Sequence, residues 1–547
     1  MQTTTESREA CARLFALYSP TCTINRFMGV SPSRLLACGI RVGRPQYVME
    51  KKNRWTPLFR HLCDRVPTSL VDAETIFALS SGHGKCGVAV VRISGPASTT
   101  ALRCMAGHTR RLPAPRTALL RSIKHPHSEE VLDRGLVLWF PAPHSFTGED
   151  SVEFHIHGGP AVTAAVLQAL GSVPGMRPAE AGEFTRRAFQ AGKLDLTEVE
   201  GLGDLIHAET EAQRRQALRQ MSGELGRLYQ DWSHKLKRCL AHVEAFIDFS
   251  EDELIEDGVL NKVDAMVRDL QGEMERHLQD ERRGERLRSG VQVVIAGATN
   301  AGKSSLLNML CRRPAAIVSP IAGTTRDVVE TSLDIGGFPV LLSDTAGLRD
   351  CVDLVEREGV RRARERVEQA DLTLVVVDCS CLPMDVQQAA AFLQDHLGSV
   401  LSTQEHIHIA LQSDRCLLVL NKVDLLPEEQ GQMLKKELGC VSGLPVCVMS
   451  CHTNEGLQAF LTTLHNRVKT LCGNPLSDAP TLTQARHRAH LQHCVASLDQ
   501  YQRYRDLDLA LAAEGVRLAL TSLGRITGKI GPEEILDIIF KDFCIGK

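Results

Sequence analysis

Nine residues, GATNAGKSS (297–305), bring two glycines, a lysine and a serine together at the spacing G-x-x-x-x-G-K-S. That is the spacing a polyphosphate needs. Gly297 and Gly302 let backbone N–H groups curl around phosphate oxygens, Lys303 places a cation on the outer phosphates, and Ser304 offers its hydroxyl to Mg2+. An apolar strand-like run precedes the motif and an apolar helical run follows it, the context that gives the pattern weight. Further motifs follow in order. GTTRD (323–327) supplies Thr325 as a second hydroxyl for Mg2+; DTAG (344–347) supplies Asp344 for the Mg2+ shell and Gly347 for the terminal phosphate. NKVD (421–424) supplies Asp424, whose carboxylate can accept two N–H groups from the guanine edge, a pair adenine does not have. Ser450, in MSCHTNEG, stands where a loop meets the guanine carbonyl, although Cys451 follows it where alanine is common. The expected nucleotide contacts are Asn300, Ala301, Gly302, Lys303, Ser304 and Ser305, then Thr324 and Thr325, then Asp344, Thr345, Ala346 and Gly347, and finally Asn421, Lys422, Asp424 and Ser450. This order of motifs implies GTP rather than ATP.

Two details bear on mechanism. Leu348 follows DTAG where many small GTPases carry a water-positioning glutamine; an apolar side chain cannot align water, so another group must. Asn300 precedes the phosphate-cradling turn, beside a loop rich in carbonyls and threonines. It reads two ways: as a plain turn residue, or as an acceptor for a monovalent cation supplying the charge an arginine supplies elsewhere.

These loops need elements to position them. VQVVIAG, PVLLSDTAG, LTLVVVD, CLLVLNKVD and PVCVMS predict buried parallel strands alternating with helices from Val291 onward. Upstream, CGVAVVRISG (86–95), GLVLWF (135–140) and SVEFHIHG (151–158) predict strands separated by Gly, Pro and polar clusters. From about Leu194 to Arg288 the texture is helical, with Trp232, Leu236, Leu240, Val243 and Ile247 expected to line one buried face. Helices return after about Cys472, and GPEEILDIIF opens one of them. The expected fold is multidomain. A leader at 1–68 precedes an α+β N-terminal domain at 69–191, and a discontinuous α-helical domain spans 192–288 and 473–547. An α/β P-loop G domain at 289–472 is inserted into it.

The bulk numbers narrow the class. The 547 residues are 43 % apolar and 4 % aromatic, which fits several helix-rich domains, and no run of about 18 apolar residues is present to span a membrane. The 18 cysteines form no C-x-x-C pair, so they are expected to be reduced thiols rather than zinc ligands. The first 65 residues hold 11 Lys+Arg against 4 Asp+Glu, the composition of a mitochondrial transit peptide or of a disordered basic tail. Without them the chain has 52 basic and 62 acidic residues, which argues against non-specific coating of nucleic acid.

Taken together, the sequence resembles the MnmE family of tRNA wobble-uridine modification GTPases, in its mitochondrial form, within the TrmE-Era-Septin-like superfamily. The resemblance runs from about Glu74 to Lys547 and rests on VAVVRISG, SFTGEDSVEFHIHGGP, AGEFTRRAFQAGKLDLTEVEGLGDLIHAET, GATNAGKSSLLN, IAGTTRD, DTAGLRD and FCIGK. It implies a tetrahydrofolate-binding N-terminal domain, a homodimer formed through that domain, an MnmG-type FAD-binding partner, mitochondrial tRNA as substrate and the mitochondrial matrix as location. Carbon five of the wobble uridine would receive a taurinomethyl or carboxymethylaminomethyl group, with a one-carbon unit from 5-formyl- or 5,10-methylene-tetrahydrofolate. By motif, Asn300 and Thr324 side chains and Ser319 and Ile321 carbonyls would hold K+, Ser304 and Thr325 would hold Mg2+, and Glu356 would orient the attacking water. Arg92, Glu153, Lys193 and Lys547 would bind the folate, and Cys544 would be a catalytic thiol. SSGHGKCG (80–87) departs from the bacterial Pro-Pro-Gly-Arg-Gly type of loop, so that pocket wall is expected to differ.

Two alternatives compete. An Era-like RNA- or ribosome-assembly GTPase carries the same G motifs, but has no use for a folate-type domain or for FCIGK. A folate-dependent aminomethyltransferase acting alone would need a second substrate site that the N-terminal region does not display. Cys544, fourth from Lys547, also raises a prenylation box, but Gly546 and Lys547 are poor residues for its last two positions.

Overall fold

The structure is a computed structural model that describes residues 74–107, 112–249, 258–312, 330–344, 365–383, 385–401, 415–427, 430–431, 434, 446–474, 480–530, 539–540 and 543–547. Two compact units emerge: one ends at Lys193 but takes in Phe540–Lys547, and the other is Leu194–Ile539. The C-terminal boundary therefore differs from the expected one, because Phe540 and Phe543 bury their rings in the first unit. The expected leader (1–68) and the helix opening at GPEE lie outside the described residues.

In the first unit, β1 (Thr75–Leu79), β2 (Cys86–Ser94), β3 (Leu119–Lys124), β4 (Val131–Phe140), β5 (Ser151–Gly158) and β6 (Met176–Pro178) form one sheet in the order β3-β4-β5-β2-β1-β6. Only the β1–β6 pair is parallel. Period-two alternation sorts the side chains. Val91, Ile93, Val152, Phe154 and Ile156 pack with helices α1 (Ser98–Ala106) and α2 (Pro160–Gly171), while Arg92, Glu153 and His155 stand on the opposite face. The C-terminal segment is strapped beside this sheet. Phe540 meets Phe189 of α3 (Glu183–Gln190) at 6.5 Å between ring centroids, Ile545 bridges Ala181, and Ser80 Oγ donates to Gly546 O at 2.7 Å. Gly546 has φ +98° and lies so close to the Leu79 carbonyl that a Cβ would collide with it.

The second unit carries helices α4 (Leu196–His207), α5 (Glu211–Met221), α6 (Glu224–Phe249), α7 (Gly258–Leu278), α8 (Arg283–Ser289), α9 (Lys303–Cys311), α10 (Val386–Leu401), α11 (Leu457–Cys472), α12 (Ala485–Tyr504) and α13 (Leu509–Thr527). Capping boxes at Asp195/Glu198 and Thr210/Gln213 start α4 and α5. On α6 the buried seam is Leu225, Tyr229, Trp232, Leu236, Cys239 and Val243, alternating steps of four and three, against α7, α12 and α13. The expected stripe is corrected at two positions: Leu240 is only partly buried and Ile247 is 39 % exposed. Repeated steps of four rotate off a seam whose period is about 3.5 residues, and Cys239 takes the place assigned to Leu240.

Strands β7 (Val291–Gly297), β8 (Glu330–Ile335), β9 (Phe338–Asp344), β10 (Leu372–Asp378), β11 (Cys416–Asn421) and β12 (Val446–Val448) form the second sheet, in the order β12-β11-β10-β7-β9-β8. The five expected strands are parallel, and β8 adds an antiparallel edge through a hairpin at Gly336–Gly337. That hairpin tip is fastened to helices: Ala212 N–H donates to Gly337 O at 3.0 Å, and His465 Nδ1 lies 3.2 Å from Ile335 O.

Within the helical part, Glu200 of α4 is 6 % exposed, with Arg486 Nη2 2.8 Å from Oε1 and His487 Nε2 2.8 Å from Oε2. Burial pushes its carboxyl up, but His487 and then Arg486 outweigh that and hold it below the ordinary glutamate value. Glu200→Ala leaves a buried cation without its partner, so a loss of about 3–5 kcal/mol is expected. It should appear as faster amide exchange in α4 and α12; unchanged exchange would refute it. Because the folded pKa is depressed, this stabilisation is complete above the ordinary value of 4.5 and fades as pH falls below it.

Candidate active site

The sheet places β7 between β10 and β9, so the loops after β7, β11 and β12 meet at the carboxyl edge of the strands. They enclose a cavity of about 620 Å3, the size of a nucleotide site. Its phosphate end is the loop at the N-terminus of α9. Asn300 has φ +62° and is exposed, so the turn reading of this residue is met by its backbone. Gly302 has φ +101° and approaches the Asn421 amide so closely that any Cβ would overlap it. Lys303 is 5 % exposed, and its Nζ donates to Gly297 O at 3.0 Å and Ala298 O at 2.7 Å, folding the loop around its own cation. Ser304 and Ser305 also line the cavity. A buried ammonium, a hydroxyl and a helix N-terminus in one cradle fit a Mg2+-bound polyphosphate.

The base end is organised by Asn421, which is 2 % exposed. Its Nδ2 donates to Ala301 O at 2.9 Å and its Oδ1 accepts the Cys451 N–H at 3.0 Å, so one side chain joins all three loops. Lys422, with φ +67°, directs Nζ to Asp378 Oδ2 at 2.7 Å. Burial pushes the Asp378 carboxyl up, but Lys422 and Ser380 hold it below the usual range. Asp424 is exposed and lines the cavity wall. The Ser450 hydroxyl is fully buried and accepts the N–H groups of His452 and Thr453, both at 3.1 Å, so it shapes the loop and leaves the loop's backbone to face a base. Cys451 stays a thiol, pushed up to about 11 by burial and by Asp424. Thr324, Thr325, Thr345, Ala346, Gly347, Ser319, Ile321 and Glu356, and the side chain of Asp344, lie outside the described residues.

A second polar cluster sits in the first unit. Arg92 and Glu153 face each other across β2 and β5, with Arg92 Nε donating to Glu153 Oε1 at 3.0 Å. The Arg92 guanidinium lies over the rings of Phe146 and Phe184, at 5.4 Å and 5.8 Å from their centroids. Burial pushes the Glu153 carboxyl up, but the His155 hydrogen bond and the Arg92 charge together hold it below the ordinary range. Lys547 joins them: burial lowers its pKa, with the Arg92 charge next, against the pull of Glu153 and Cys544. Cys544 is exposed, and like every described cysteine it forms no disulfide. The structure thus brings together Arg92, Glu153, Lys547 and Cys544. Lys193 stands apart, exposed beside Gly148, with no side-chain hydrogen bond to that group among the described residues. Sequence reasoning missed His155, Phe146 and Phe184, and the only available signal for His155 was its i, i+2 spacing from Glu153.

Asn421→Ala removes both of its loop contacts and leaves the Ala301 carbonyl and Cys451 N–H without them. At roughly 1 kcal/mol per lost hydrogen bond, guanine-nucleotide affinity should fall about 10- to 100-fold, read by anisotropy of a fluorescent GDP. Wild-type affinity would show that the loops hold without the carboxamide.

Two family models match the chain: MnmE helical domain over residues 196–544 and GTP-binding protein TrmE N-terminus over residues 75–193. The chain is 70 % identical over 477 residues to a Danio rerio protein named 5-taurinomethyluridine-tRNA synthase subunit GTPB3, mitochondrial, covering 87 % of this chain and 93 % of that one. It is 57 % identical to the Homo sapiens protein of the same name, covering 89 % and 97 %. It is 49 % identical to the tRNA modification GTPase MnmE of Parvibaculum lavamentivorans, covering 87 % and 100 %. With both models matched and relatives of this identity spanned almost end to end, the chain belongs to the MnmE family.

Proposed function

We infer that this chain is a GTP hydrolase acting in the modification of wobble uridine in mitochondrial tRNA. The observation that carries this is the 70 % identity over 93 % of a relative named for 5-taurinomethyluridine in tRNA. An Era-like assembly factor is not favoured, because the TrmE N-terminal model matches residues 75–193, outside the G domain.

In hydrolysis the loop at 297–305 binds the phosphates, with Lys303 exchanging its loop carbonyls for phosphate oxygens. Ser304, Thr325 and Asp344 would hold Mg2+, and Asn300, Thr324, Ser319 and Ile321 would hold K+, a pair of charges that would offset the negative charge developing on the phosphates. Glu356 orients water through a second water, where Leu348 cannot. Asp424 selects guanine. In the first unit Arg92, Glu153 and Lys547, with Lys193 at the margin, would hold a tetrahydrofolate derivative that supplies the one-carbon unit, and Cys544 is the thiol at that site. A guanidinium and an ammonium beside an ionised carboxylate suit a ligand with an acidic tail and an N–H-bearing ring. A homodimer, an MnmG-type FAD-binding partner, a leader at 1–68 and a matrix location complete the reading.

Mass spectrometry of mitochondrial tRNA nucleosides from cells lacking the chain tests the function: wobble modification should be lost, and normal levels would end the reading in favour of an assembly GTPase. Exchange of K+ for Na+ should slow GTP hydrolysis by about an order of magnitude or more, as for loss of a transition-state charge; an unchanged rate removes the cation. Cys544→Ser should keep the GTPase rate and abolish modification, whereas full modification excludes the thiol.

A further inference from the structure

We propose that His155 is a positioning residue for Glu153, setting the plane of its carboxylate so that acceptors on both oxygens face a ligand bearing two parallel N–H donors. The 2-amino-4-oxo edge of a pterin is such a donor pair, so the proposal rests on the folate reading.

Arg92 reaches only one oxygen of Glu153: Nε and Nη2 both lie 3.0 Å from Oε1. A hydrogen bond to one oxygen restrains the terminal torsion only loosely, because that torsion has broad wells. His155 takes the other oxygen, with Nε2 3.3 Å from Oε2. Glu153 and His155 are two residues apart on β5 and so share a face, which makes the contact a product of strand geometry. The residue sits in the interior of the sheet. His155 stands directly opposite Val90 on β2 and Leu136 on β4, and 28 % of its side chain is exposed. Glu153 is flanked in the same way by Arg92 and Leu138, and is 13 % exposed. Arg92 on Oε1 and His155 on Oε2 therefore fix a mostly buried carboxylate, in which Oε2 keeps a further acceptor site for one ligand N–H and Oε1 is shared between Arg92 and the second. The bond needs a proton on Nε2, as in the Nε2–H tautomer or the imidazolium.

The test titrates the full-length chain calorimetrically with 5-formyltetrahydrofolate and with its 2-desamino analogue, which lacks one of the two donors. His155→Ala should weaken the first about 10-fold and the second much less, collapsing the preference between them. His155→Gln, whose side-chain N–H can reach the same oxygen, should recover most of the loss. Equal loss for both ligands, no loss, or a His155→Gln chain as weak as His155→Ala overturns the proposal. If the wild-type chain binds neither compound, the folate reading falls and takes the positioning role with it. Tight wild-type binding with an unaffected His155→Ala chain sinks the positioning role alone. Should His155→Ala fail to fold by circular dichroism, His155→Leu against His155→Gln gives the same comparison.

Discussion

Asn421 donates to the Ala301 carbonyl and accepts the Cys451 N–H, so a single buried carboxamide decides where the loops after β7, β11 and β12 stand relative to one another. A parallel sheet delivers its loops to one edge but does not join them. Each loop must find its partners from side chains, or leave buried peptide groups unsatisfied. Gly302 exists in this arrangement because the carboxamide occupies the space its side chain would need. The phosphate cradle and the base pocket are thereby one object, and disturbing either end is felt at the other.

The two units solve the burial of a carboxylate with the same pair of residue types. Glu200 meets Arg486 on one oxygen and His487 on the other; Glu153 meets Arg92 on one oxygen and His155 on the other. The difference lies in the surroundings. The first set lies between helices with its histidine fully buried, and the second lies on a sheet face beside Lys547 and Cys544 with its histidine 28 % exposed.

Much of this was legible in the sequence. The strands of the G domain were announced by continuous apolar runs, and the loops by motifs whose spacing is dictated by phosphate geometry. The rest needed contacts that no local pattern encodes. Glu200 reads as one more acid in a helix, because its cation partners are about 286 residues away. On α6, Cys239 takes the place that an aliphatic stripe assigns to Leu240. β8 went unrecognised because ETSLDI is a polar edge strand with little apolar signal. Ser450 reads from the sequence as a contact to the base, whereas its hydroxyl accepts the loop's own amides.

The strap of residues 540–547 has a consequence for the order in which the molecule is made. Ser80 and Gly546, joined by a hydrogen bond, are separated by 466 positions along the chain. Closing a flexible loop of that length costs on the order of 5 kcal/mol in chain entropy. Synthesis runs from the N-terminus, so the sheet of the first unit emerges long before its last partners do. The face around Arg92 and Glu153 lacks Lys547 while the whole second unit is translated. The first domain to be started is in this sense the last to be completed.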